Sequence, residues 1–217
     1  MKSVITRIER QEGRKGRYHL YIQGFDSPLS IHEDVLVRLR LSKGMEINLA
    51  EIEEILDLEE QTKVKQAALR YLSYRPRTEQ ELDRYLEQAG FEKHHREVVI
   101  AELSNLGYID DRQFAAQWIK SRREIKGYGN LRLRQELQQK GIASEIIEEL
   151  LQENDEEKEF QLALSVAESR YKRIQDLPWK TIERRLGHYL ARRGFPHGLI
   201  FMVLERLRTR RDEEREE

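Results

Sequence analysis

A unit of the form Leu-x3-Leu-x3-Gly-apolar occurs three times in the chain, as Leu82/Leu86/Gly90/Phe91, Leu133/Leu137/Gly141/Ile142 and Leu186/Leu190/Gly194/Phe195. The three glycines are 51 and 53 residues apart. Leucines at i and i+4 lie on one face of a helix. A glycine four residues later, followed by an apolar residue, marks a helix stop in the left-handed conformation. Each unit then runs into an apolar helix: Val98-Val99 with Leu103, Ile146-Ile147 with Leu150-Leu151, and Leu199-Ile200 with Val203-Leu204. Repeats of this length built from short helices predict a mainly α array whose surface, rather than a deep pocket, is the working part.

Composition supports a thin-cored array. Hydrophobic residues make up 38% and charged residues 36% of the 217-residue chain, which suits stacked three-helix units better than an enzyme enclosing a cavity. There are no cysteines, so disulfides, thiolate metal sites and a cysteine nucleophile are excluded. No stretch has the length or apolarity of a membrane span or signal core, and the expected location is the cytoplasm. The net charge of −1 hides segregated blocks. Residues 120–140 place Lys120, Arg122, Arg123, Lys126, Arg132, Arg134 and Lys140 against Glu124 and Glu136. Residues 170–193 are similarly basic, and 145–159 are strongly acidic. Such segregation suits docking on a partner with its own charge pattern; solvated helix faces are the plain alternative.

The chain reads as five segments. Residues 1–57 form a small β-rich module, with strands at Val4–Ile8 and Arg17–Ile22, a short strand at Leu29–Ile31 and a helix from His32 to Leu41. Tyr18, Leu20 and Ile22 share one face of the second strand. An acidic helical link holding Glu51, Glu53, Glu54, Asp57, Glu59 and Glu60 leads into the repeats. Three-helix repeats are expected at 58–109, 110–154 and 155–209, and a charged, disordered tail at 210–217. Thr78-Glu79-Gln80-Glu81 has the form of a capping box, and Asp110-Asp111-Arg112-Gln113 resembles another. Asn130 and Ser144 are expected helix caps.

Catalytic patterns fail on inspection. Gly127-Tyr128-Gly129-Asn130-Leu131-Arg132 begins like a dinucleotide loop, but arginine stands at the third glycine position and a helix precedes it. The adjacent His94 and His95 diverge by about 100° on a helix and cannot jointly face one ion. Neither an enzyme, a metal site nor a cofactor is expected. Phe114 and Trp118 have core spacing, with nucleic-acid stacking as the alternative. Tyr71, Tyr74 and Tyr128 stand beside basic residues, as interface anchors do.

Two stretches carry a specific resemblance. They are Ala68-Leu69-x-Tyr71-Leu72-Ser73-x-Arg75-x-Arg77-Thr78-x-x-Glu81-Leu82, followed by Leu103-x-x-Leu106-Gly107-Tyr108-Ile109-Asp110-Asp111-x-x-Phe114-Ala115, and Arg122-x4-Gly127-x-Gly129-x3-Leu133-x-x-Glu136-Leu137-x-x-Lys140-Gly141-Ile142. The sequence resembles the RecX family, the small bacterial regulators of the RecA recombinase. Ile5-Thr6-Arg7-Ile8-Glu9, Arg17-Tyr18, His32–Val37 and Lys43-Gly44-Met45 resemble the N-terminal extension of Gram-positive members. The third repeat keeps the Leu/Leu/Gly spacing without the Gly-Tyr-x-Asp-Asp and Gly-x-Gly signatures.

The resemblance implies tandem three-helix repeats in an elongated curved array. It also implies a monomeric regulator that binds RecA or the RecA–DNA filament and modulates, mostly by inhibition, its recombinase, ATPase and co-protease activities in DNA repair and the SOS response. Direct DNA binding through the blocks at 120–140 and 170–193 is the alternative. The candidate partner contacts are Arg75, Arg77, Arg122, Arg123, Lys126, Tyr128, Arg132 and Arg134. Among them the turn around Gly127-Tyr128-Gly129 is expected to let a partner approach the backbone closely. Arg122 tied to a carboxylate such as Asp111 is the structural alternative. The N-terminal module is expected to be an appendage rather than the effector, so that a chain starting near Leu58 still folds and still binds the RecA filament.

Overall fold

The structure, a computed structural model, describes residues 2–152 and 156–216. The chain divides into two compact units, Met1–Pro76 with Leu82–Ile109, and Arg77–Glu81 with Asp110–Glu217.

The first unit begins with an antiparallel sheet of β1 (Lys2–Arg10), β2 (Arg17–Ile22), β3 (Leu29–His32) and β4 (Glu46–Asn48), in the order β3-β2-β1-β4. Ile5 pairs with Ile22 and Ile8 with Leu20, with a register irregularity between Ile5 and Arg7. The period-2 alternation puts Leu20 and Ile22 in a core with Ile5, Ile31 and Ile47, closed by Val35 of helix α1 (Glu33–Arg38). The short strand β4 had no alternating pattern long enough to be read from sequence.

Helix α2 (Leu49–Leu72) runs unbroken from the sheet into the first repeat. It opens on a capping box in which Asn48 Oδ1 accepts from Glu51 N (3.1 Å) and Glu51 Oε2 accepts from Asn48 N (2.7 Å). The expected boundary at 57/58 therefore falls inside one helix. The acidic link is helical as expected, and Ile52, Ile55 and Leu58 pack on the sheet core while Val64 and Ala68 of the same helix pack in the next one. Glu59, 3% exposed, accepts from the guanidinium of Arg17 and, at 2.7 Å, from His32 N. The sheet module is thus built onto α2, and a chain starting at Leu58 would strip Glu59 of both partners.

Helices α3 (Glu79–Gln88) and α4 (Lys93–Asn105) complete the first repeat around Val64, Leu82, Leu86, Val99, Ile100 and Leu103. In the second unit, α5 (Asp111–Lys126), α6 (Asn130–Gln139) and α7 (Ser144–Gln152) enclose Ala115, Ile119, Leu133, Leu137 and Ile147. Helices α8 (Glu156–Tyr171), α9 (Trp179–Arg192) and α10 (His197–Glu216) enclose Ala163, Ala167, Ile182, Leu186, Leu190 and Val203. All six repeat leucines are fully buried. Truncating one to alanine would cost about 2–5 kcal/mol through lost transfer energy and the cavity left behind.

The C-terminal tail differs from the expected disorder. The tail expected to be disordered is helical through Glu216, because Leu207 and Arg211 continue the inner stripe of Ile200, Val203 and Leu204. Arg211 is 6% exposed and donates to Leu177 O at 3.1 Å. The boundary at 154/155 and residue 217 lie outside the described residues.

Candidate functional site

The basic segment around Gly127-Tyr128-Gly129 connects α5 to α6. Asp110 caps α5, its side chain accepting from Gln113 N at 2.8 Å, and Gly127 ends the helix in the left-handed conformation (φ 59°, ψ 47°). A Cβ on Gly127 would lie 2.6 Å from Val166 Cγ2, and one on Gly129 would lie 2.6 Å from Gly194 O. Gly129 N donates to Arg193 O (2.8 Å) and Leu131 N to Gly194 O (3.0 Å). The expected open approach for a partner is therefore occupied by the chain's own third repeat. Glycine is required here because two backbones meet.

The same junction occurs one repeat earlier. A Cβ on Gly194 would overlap the backbone N of Arg132, near the start of α6, and a Cβ on Gly141 would overlap the Gln80 side chain, near the start of α3. Gly90 carries a comparable φ of 86°, yet a Cβ there meets nothing within 4 Å. The glycine closing the middle helix of one repeat thus seats on the first turn of the preceding repeat's middle helix. First turns of helices expose amide donors that need partners, and each junction supplies them. At the α3 end, Thr78 Oγ1 accepts from Glu81 N (3.2 Å) and donates to Lys140 O (2.7 Å), while Asp111 Oδ1 accepts from Glu79 N (2.9 Å). At the α6 end, Glu159 accepts from Asn130 N (2.8 Å) and Asn130 Nδ2 (2.6 Å). Asn130 is accordingly the first residue of its helix rather than the cap; the cap is Gly129, which offers no side chain.

Most of the basic residues singled out by sequence serve this scaffold. Arg122 lies over the Trp118 ring (4.0 Å) and pairs with Glu136 (3.1 Å), not with Asp111. Glu136 also accepts from Trp118 Nε1 (3.0 Å) and pairs with Arg132 (3.5 Å). Arg123 donates to Asn130 Oδ1 at 2.6 Å; its burial pushes the guanidinium pKa down, against the favourable charge of Glu159. Arg134 grips Glu148 through two hydrogen bonds (2.6 and 2.8 Å), which hold the Glu148 pKa below its ordinary value. Asp111 is shifted upward, first by burial and then by the charges of Asp110 and Glu81, although the Glu79 amide opposes this. Arg77 and Tyr128 are half-buried, whereas Arg75, Lys126 and Arg132 are exposed. Phe114 and Trp118 stack at 5.8 Å with Lys140 over both rings, so they are packed rather than offered to a base.

Sequence reasoning missed Lys140, Thr78, Asp111 and Glu159 as junction residues. The capping box at Thr78 was legible, but its second use against Lys140 is a contact 62 residues away. Among the described residues no group of three or more metal-binding side chains occurs, and no helix is long and apolar enough to cross a membrane.

Comparison with known proteins decides the family. Sequence models of the first, second and third three-helix domains of RecX match residues 65–103, 110–151 and 156–204. The chain belongs to the RecX family. The regulatory protein RecX of Bacillus cytotoxicus is 33% identical over 218 residues, covering 99% of this chain and 81% of that protein. The RecX of Lactobacillus gasseri is 33% identical over 211 residues, covering 97% and 77%. A crystal structure of a regulatory protein RecX superposes with a TM-score of 0.77 at 30% identity, covering 94% of this chain and 99% of that one. RecX from Lactobacillus salivarius, 22% identical, shares the fold with a TM-score of 0.65 over 70% of this chain. All three RecX domains are present here in order, and the third matches despite lacking the signatures of the second.

Proposed function

We propose that this RecX protein binds RecA and the RecA–DNA filament and restrains the recombinase, without chemistry of its own. The observation that carries this reading is the set of glycine junctions, which fix the repeats of the second unit against one another. Several weak contacts presented by a fixed array give avidity that none has alone, provided all can engage together. Of the candidate contacts, Arg75, Lys126 and Arg132 are exposed, Arg132 also pairing with Glu136, while Arg122, Arg123 and Arg134 are more deeply engaged in the scaffold. ATP, where it matters, belongs to RecA. Titrating the protein into RecA assembled on single-stranded DNA should lower ATP hydrolysis in a saturable way. Unchanged hydrolysis at saturating protein would defeat this reading.

A second reading, direct binding of DNA, is favoured by the solvent face of α9. Of the two basic blocks, 120–140 is largely consumed internally, whereas the cations of α9 are not.

A further inference from the structure

Helix α9 carries Lys180, Arg184, Arg185, His188 and Arg192 on one side and Ile182, Leu186 and Leu190 on the other. At 100° per residue the five basic positions fall within an arc of about 140° opposite the buried stripe. All five are exposed, and none ion-pairs or hydrogen-bonds through its side chain with a described residue. The sole acid of the helix, Glu183, lies about 60° outside that arc, beside the buried stripe. This contrasts with Arg122, Arg123 and Arg134, each of which meets an acceptor inside the second unit.

We propose that this face binds the phosphate backbone of duplex DNA without reading sequence. The proposal deepens the second reading above by placing it on one helix face. Three features favour a nucleic acid over an acidic protein surface. The cations stand unpaired in an unbroken row, which suits a polymer of evenly repeated negative charge. Arginine, three of the five, matches phosphate with paired donors. No large apolar side chain is exposed on α9, whereas protein interfaces draw their energy from buried aromatic and apolar anchors. The basic arc itself holds no aromatic ring apart from His188, and Tyr189 at its border is covered by Arg170 and Arg193. This likewise favours duplex over single strands, which are held by base stacking.

The test is fluorescence anisotropy of a labelled duplex across a salt series, with the full-length chain and Arg184→Glu/Arg185→Glu/Arg192→Glu. Arg184→Gln/Arg185→Gln/Arg192→Gln serves as a milder variant, and both are checked for unchanged thermal melting. With four permanent cations engaged, the slope of log affinity against log salt is about −3.6 for the wild type, and the Glu variant loses roughly 2.7 of it. Affinity at moderate salt falls at least tenfold in the Glu variant, with the Gln variant between. Lys126→Glu/Arg132→Glu leaves duplex binding unchanged. Wild-type affinity and slope in a folded triple variant would overturn the proposal, as would a wild type without salt-dependent duplex binding. Loss of RecA ATPase inhibition in the triple variant, with no duplex binding by the wild type, would make α9 a protein contact and also overturn it. Duplex binding through α9 by a protein that leaves RecA hydrolysis untouched would uphold the proposal and defeat the RecA reading alone.

Discussion

Lys140 shows how one residue in this protein can carry several contacts at once. Its ammonium lies over Phe114 and Trp118 (5.2 and 4.5 Å), pairs with Glu81 at 2.8 Å, and its carbonyl accepts from Thr78. From sequence it was one more cation in a basic block, because charge runs do not say which members find carboxylates across the fold. Arg134 makes the same point with a measurable consequence. The folded state favours the ionised form of Glu148, so the unfolded chain binds more protons in the acid range. The stability contributed by the pair is complete above the ordinary glutamate pKa and is lost as pH falls through the lower folded value. Glu148→Gln should therefore flatten the decline of melting temperature on the acid side while lowering it at neutral pH. Parallel acid limbs for wild type and variant would show that the pair is not linked to stability. Asp111 acts in the opposite sense, because burial raises its pKa and protonation relieves the folded state.

The middle helices were the most legible elements. The Leu/Leu/Gly unit placed three helix ends, and Gly90, Gly141 and Gly194 take φ of 86°, 79° and 87°. What the pattern could not reveal is that the glycines differ. A positive φ is a local property, readable from a helix stop; a close approach depends on which residue 60 or so positions away arrives there. Alanine at Gly90 should cost on the order of 1–2 kcal/mol from left-handed strain alone. Gly141→Ala adds displacement of the Gln80 side chain, and Gly194→Ala adds displacement of Arg132 backbone. A further 1–3 kcal/mol is expected from such overpacking, largest at Gly194. Urea denaturation of the three variants orders them; equal losses would mean the junctions yield easily. The sequence failed elsewhere for matching reasons. The link at 51–60 reads as helical, but composition does not reveal that Ile52, Ile55 and Leu58 share one helix with Val64 and Ala68, and charge at 210–217 masks the continuation through Leu207 and Arg211.

Across the molecule, three RecX domains follow a sheet module that shares α2 with the first of them. Within the second unit, glycine junctions and carboxylates such as Glu159 hold successive repeats, using up many of the cations that sequence offered as contacts. Among the cations that remain exposed are Lys126 and Arg132 beside the α5–α6 turn, Arg75 after α2, and the row on α9. The central claim is that RecA is engaged through the exposed cations of the repeats, Arg132 among them although it also pairs with Glu136. RecA ATP hydrolysis on single-stranded DNA, measured with Lys126→Glu/Arg132→Glu, tests it most directly. Exposed ion pairs contribute under about 1 kcal/mol to folding, whereas charge pairs at an interface can contribute a few. The double variant should melt close to the wild type yet inhibit at least tenfold more weakly. Full inhibition by the folded variant would contradict the claim.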